Sequence, residues 1–196
     1  MAADTEALRK YVRASLSLPR YLHTLRTSAM TAQLADRFGV SKEEAEIAAL
    51  AHDMARELPE QEMFSIAEED GFPVLPEEIQ RPVLLHGRAA AVILVKLWHE
   101  KRESILYAVR RHTQGDHDMG LLGMLLFVAD YIERGRTHIS EEFRREVLTM
   151  DTPQRMVLKV IEDEIRYLDA ENISVSERTT RLIAHIKEEM YAVTEN

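Results

Sequence analysis

His52 and Asp53 stand side by side in Ala-Leu-Ala-His-Asp-Met-Ala, a locally apolar run. His52 continues a helix face made by Ala45, Ala48 and Ala49, so its imidazole points inward. Asp130 closes the run Leu-Leu-Gly-Met-Leu-Leu-Phe-Val-Ala-Asp. A carboxylate at the end of such a helix is drawn toward the interior, where an unpaired charge is very costly. It must therefore meet an arginine such as Arg134 or Arg136, a hydrogen-bond network, or a metal. His86 follows Pro-Val-Leu-Leu at a helix entrance, and His112 comes where the apolar helix Ile-Leu-Tyr-Ala-Val-Arg-Arg runs out. Each of these alone reads as a packed or solvated side chain. Together they place imidazoles and carboxylates at helix ends, which can converge at the centre of a bundle. That donor set suits iron, manganese, cobalt or zinc rather than calcium.

The elements that must carry these residues are helices. Leu22, Leu25, Ala29 and Ala32 recur at helical spacing, with Gly39 as the stop. Ser41 and Glu44 predict a capping box for the next helix. Pro59 opens a short helix that Gly71 ends, and Phe72 to Pro76 is a loop. Further helices are expected over Pro76–Leu85, Arg88–His99, Arg102–His112, Met119–Ile132, Glu141–Met150, Pro153–Leu168 and Glu177–Ala192. Alternating strand patterns are absent, so the expected fold class is all-α. The expectation is one helical domain over residues 1–196, with its core at about 20–136 and C-terminal helices at about 140–193.

The chain has 196 residues and no cysteine, which excludes disulfides and thiolate zinc sites. Its formal net charge of −9 argues against a general nucleic-acid surface. An anionic small substrate stays open, because metals and local arginines can reverse the sign inside a cleft. Met1 to Tyr11 carries Asp4 and Glu6 and no apolar stretch, unlike a signal peptide. Met119 to Ala129 is too short to cross a bilayer. A cytoplasmic location without membrane contact is therefore expected. His99, His117 and His138 read as surface, Trp98 as packing and Tyr131 as core.

In the order His23, His52-Asp53, His86, His112 and Asp130, the chain resembles the HD-domain superfamily of metal-dependent phosphohydrolases. More narrowly it is similar to the bacterial YqeK-type family, which hydrolyses diadenosine tetraphosphate symmetrically. The stretches that carry the resemblance are Arg20 to Arg26, Ala48 to Pro59, Leu85 to Gly87, Arg111 to Gly115 and Phe127 to Glu133. Beyond Arg136 only length and helical character match. Two positions depart from the family's habit. Arg56 stands where a lysine is common, and Arg134-Gly135-Arg136 stands where Pro-Asn-Arg is common.

The resemblance implies an HD-type bundle with two divalent metals at its centre, iron first and manganese or cobalt next. His23, His52 and Asp130 would hold one, His86 and His112 the other, and Asp53 would bridge them. Asp53 and Arg56 are the expected catalytic residues. Arg26, Arg56, Arg88, Thr113 and Arg136 are the expected substrate contacts; a solvated helix face is the alternative for the arginines, and a backbone-bonded hydroxyl for Thr113. The expected reaction is attack of a metal-bridging hydroxide on a central phosphorus, which releases two ADP. The partner would be a dinucleoside polyphosphate or another nucleotide, and a homodimer is compatible with this. The alternatives are an HD phosphohydrolase for a different nucleotide, or a nucleotide-binding regulatory module without turnover.

Overall fold

The structure is a computed structural model that describes residues 4–194. Every regular element among them is helical, as the sequence leads one to expect. The first helix, α1 (Thr5–Ser15), has no counterpart among the expected elements. Asp4 caps it by accepting from the Glu6 and Ala7 amides, and it buries Leu8 and Val12.

Helix α2 (Leu18–Phe38) is the spine of the molecule. It ends at Gly39, whose φ of 71° and N–H bond to the Ala35 carbonyl form a left-handed stop. Helix α3 (Lys42–Ala51) starts at Ser41, whose hydroxyl accepts from the Glu44 amide. The expected box is only half built, because the Glu44 carboxylate accepts instead from Ser104 Oγ at 2.9 Å. After α4 (Glu60–Glu68) the expected helix over Pro76–Leu85 divides into α5 (Pro76–Gln80) and a 3-10 turn, Pro82–Leu85. Pro82 is the cause: its ring pushes Arg81 out of the α region, to φ −133° and ψ 76°. Helix α6 (His86–Trp98) then begins at His86 itself. The chain continues through α7 (Glu103–Arg111), α8 (Gly120–Ile132), α9 (Glu141–Thr149), α10 (Pro153–Ala170) and α11 (Glu177–Thr194).

Helices α2 and α8 pack on one another and are shared by two apolar cores. One core fills the space among α1, α3, α4, α6 and α7, and it is rich in small side chains. Ala48, Ala49, Ala51, Ala55 and Ala89 to Ala91 are all fully buried, so their helices approach closely. The other core joins α2 and α8 to α9, α10 and α11 through Met30, Leu125, Val157 and Ile161. No described helix is long and apolar enough to cross a membrane.

Candidate metal centre

Six side chains from five stretches of chain meet where α2, α3, α6, α7 and α8 converge. His23 comes from the interior of α2, and Asp130 from the last turn of α8. His52 and Asp53 follow the end of α3, where the helix loosens into tight turns (Met54 N to Ala51 O, 3.0 Å; Arg56 N to Asp53 O, 2.8 Å). His86 opens α6 and His112 follows α7. Gly87 makes that pairing possible. A Cβ there would lie 2.7 Å from the Val109 carbonyl and 3.0 Å from His112 Nδ1.

Asp53 sits at the middle and is 3% exposed. Its Oδ2 faces His23 Nε2 and His52 Nε2, both at 3.5 Å. Its Oδ1 faces His86 Nε2 at 3.1 Å and His112 Nε2 at 4.0 Å. Asp130 Oδ1 completes the first group, 2.9 Å from His23 Nε2 and 3.8 Å from His52 Nε2. One carboxylate therefore spans two half-sites.

The ring nitrogens that point away from the centre are all engaged. Nδ1 of His52, His86 and His112 lies 2.6, 2.6 and 2.8 Å from the carbonyls of Ala49, Val83 and Val109. A carbonyl only accepts, so each Nδ1 carries a hydrogen and Nε2 is the nitrogen that each ring turns inward. His23 Nδ1 is held in the same sense by Glu133 Oε1 at 3.1 Å. Burial, reinforced by His86 and His52, pushes His112 down to about 3, so it is neutral at ordinary pH. His86 Nε2 and His112 Nε2 stand only 2.9 Å apart, two ring nitrogens brought to one point. Nε2 of His23 and of His52 is buried with no hydrogen-bond partner among the described residues. Burial would raise the Asp53 carboxyl, but His52 and His86 outweigh it and hold it well below the usual range. His52 is pushed up: burial works against this, and Asp53 and Asp130 prevail. Four inward Nε2 atoms around two ionised carboxylates make a donor set that a cation can gather. The donors are those of a divalent transition metal, and His23–His52–Asp130 and His52–Asp53–His112 each fit round one ion.

The HD domain family matches residues 20–135, which is more than half of the chain and contains all six of these side chains. The chain belongs to the HD domain family. Within it, the chain is 33% identical over 149 residues to a symmetrical bis(5'-nucleosyl)-tetraphosphatase of Bacillus subtilis, covering 76% of this chain and 80% of that protein. A Staphylococcus aureus protein of the same name is 25% identical, covering 90% of this chain and 91% of its own length. The fold is that of a crystal structure from Clostridium acetobutylicum, described as a predicted HD superfamily hydrolase involved in NAD metabolism. The TM-score is 0.87 at 25% identity, over 96% of this chain and all of the other.

Around the centre of this HD domain the expected substrate residues fare differently. Arg136 borders it, donating from Nη2 to Asp130 Oδ1 at 2.7 Å and from Nε to the Asp130 carbonyl at 3.0 Å. Thr113 Oγ1 lies 3.4 Å from His86 Nε2 and 3.5 Å from His112 Nε2. Arg56 is half-buried in the field of Asp53, Arg20, Asp130 and Arg136, and its side chain forms no hydrogen bond or ion pair among the described residues. Arg26 lines a cleft beside His23, with its Nε turned to Glu133.

Arg88 is a correction. It is 1% exposed, and all five of its N–H donors are taken by Asp70, Glu78 and the carbonyls of Phe72 and Pro73. It has nothing left for a phosphate. Tyr131 packs on the core as expected; its hydroxyl donates to Asp163 Oδ2 at 2.9 Å and its ring borders an open cleft.

Two residues at the centre escaped the sequence reading. Arg20 Nη1 donates to Asp53 Oδ2 at 3.0 Å, and Glu133 binds His23. Both stand three residues from a ligand candidate, one helical turn away, and that spacing was the available signal. Two clefts open beside the centre and share Arg136. The smaller, about 270 Å³, is lined by Arg20, His23, Arg26 and Glu133. The larger, about 810 Å³, runs from His112, Thr113 and Asp130 past Phe127 and Tyr131 to His138 and Tyr167.

Proposed function

We propose that this chain is a symmetrical bis(5'-nucleosyl)-tetraphosphatase that cuts diadenosine tetraphosphate between its central phosphates into two ADP. The observation that carries this reading is the pairing of His86 Nε2 with His112 Nε2, set across Asp53 from His23, His52 and Asp130. The arrangement supports two divalent ions about one bridging carboxylate, and the similarity to the tetraphosphatases supplies the substrate. Iron is the first choice of metal, with manganese or cobalt next. When bound, such a pair neutralises phosphate charge and makes water a stronger acid.

The chain's own residues do the rest. Asp53 fixes the spacing of the two half-sites. Arg136 and Arg20 lie on the rim and hold non-reacting phosphate oxygens by charge-assisted bonds. Arg56, unpaired beside two carboxylates, is free to meet the charge that builds on the attacked phosphoryl group. Thr113 donates its hydroxyl to a phosphate oxygen on the His86–His112 side. The larger cleft has the size of a nucleotide pocket and takes one nucleoside half against Tyr131 and Tyr167. A soluble nucleotide substrate of this kind supports a cytoplasmic location.

The test is the product pattern in heavy-oxygen water. The metal-loaded protein should give ADP alone, with label in the terminal phosphate of one of the two ADP molecules formed per turnover. ATP with AMP in equal amounts would overturn symmetrical cleavage. No product from the loaded protein would overturn the substrate.

A further inference from the structure

The four imidazoles are not anchored alike. His52, His86 and His112 sit at helix ends and tie Nδ1 to a backbone carbonyl three residues upstream. His23 lies inside α2, where the helix's own bonds occupy those carbonyls, so its partner comes from elsewhere in the chain. That partner is a carboxylate, Glu133, itself only 1% exposed.

Glu133 is held from three directions. Arg26 donates to it from Nε, and Gly135 donates from its backbone amide. Arg144 pins the backbone, donating from Nε to the Ile132 carbonyl at 2.6 Å and from Nη2 to the Glu133 carbonyl at 3.2 Å. Glycine at 135 is part of the device, since a Cβ there would lie 2.2 Å from Arg26 Nη2. A buried carboxylate on Nδ1–H fixes the tautomer and makes the opposite nitrogen a stronger donor, whereas a neutral carbonyl does so less.

The half-sites also differ in number of donors. His23, His52, Asp130 and Asp53 Oδ2 surround one, while His86, His112 and Asp53 Oδ1 surround the other. We infer that the two metal positions are unequal: the His23 half binds its ion tightly, the His86–His112 half holds an exchangeable one, and Glu133 is the positioning residue that sets the difference. Arg26 then acts through Glu133 rather than on the substrate. This inference rests on the two-metal reading above.

The experiment is stepwise binding of cobalt(II) to the chelator-stripped full chain, followed by calorimetry and by the visible spectrum. The wild type should bind two ions in separate steps. Glu133→Gln keeps an acceptor near His23 but loses the charge. It should weaken the tight step roughly 10–100-fold, the scale for removing such an outer partner, and leave the weak step in place. Arg26→Gln alters a half-exposed side chain with little risk to folding, and it should shift the tight step in the same direction by less. Two equal steps in the wild type, or a tight step that neither variant moves, would overturn the inference while leaving the two-metal centre standing. No cobalt bound by the wild type would instead overturn the metal reading on which it rests.

Discussion

His86 and Arg88 begin the same helix two residues apart, and each enters a buried polar cluster of its own. Every N–H of Arg88 itself is taken. Asp70 and Glu78 take its donors, Glu78 also accepts from the Leu75 amide, and Arg178 lies 3.1 Å from Glu78 Oε1. Around His86 bonding capacity is left over: its Nε2 meets His112 Nε2 and a carboxylate, and Nε2 of His23 and of His52 has no hydrogen-bond partner among the described residues. Burial and charge are common to both regions. What separates a structural cluster from a reactive one is bonding capacity left over after the protein has satisfied itself.

Removing Asp53 tests the open cluster most severely. Asp53→Ala should lower turnover by at least ~10³-fold, the upper end for losing one preorganised group. His52→Ala should behave likewise. Helical content should stay near wild type, since the substitution also removes buried charge. Steady-state kinetics at saturating metal with far-ultraviolet circular dichroism decide this, and near-normal activity in either variant would sink the ligand assignment.

The closed cluster should fail in the opposite manner. Arg88→Met strands two buried carboxylates, at a cost of about 3–5 kcal/mol in stability. Urea unfolding should show that loss, while the folded fraction keeps its metal content. If metal is lost and stability is kept, the two clusters are not separate. A smaller effect is expected at Arg56, whose side chain forms no bond in either cluster. Arg56→Ala should cut kcat/KM by on the order of 10²-fold with metal content unchanged, and Arg56→Lys should recover much of it. Loss of metal in Arg56→Ala would make that residue a support of the site instead.

The helices after α1, and the donors His52, Asp53, His86, His112 and Asp130, were legible because each leaves a local trace: a period, a cap, or a polar residue in an apolar run; α1 was missed, and His23 entered only through the family resemblance. Arg88 misled for the same reason. Its spacing from His86 suits a shared cleft, but its fate is set by the carbonyls of Phe72 and Pro73 and by two carboxylates brought in by tertiary packing. No pattern along the chain announces carbonyl acceptors. Glu44 likewise has the spacing of a capping box and is drawn off to Ser104. Glu133 was in plain view within Ala-Asp-Tyr-Ile-Glu. Only the bond to His23, formed between residues 110 apart, gives it meaning.

That separation also orders events in time. The His86–His112 pair closes a loop of 26 residues, whereas the His23–Glu133 contact closes one of 110. By the logarithmic growth of loop-closure entropy, the longer closure costs ~1.3 kcal/mol more. Helices and the shorter pairing should therefore form early in refolding, with the His23 half completed after the rate-limiting barrier. A bound ion would then stabilise the native state without stabilising that barrier. Cobalt should slow unfolding measured by stopped flow and leave the refolding rate nearly unchanged, which makes the metal a brake on the chain's escape rather than a guide to its arrival.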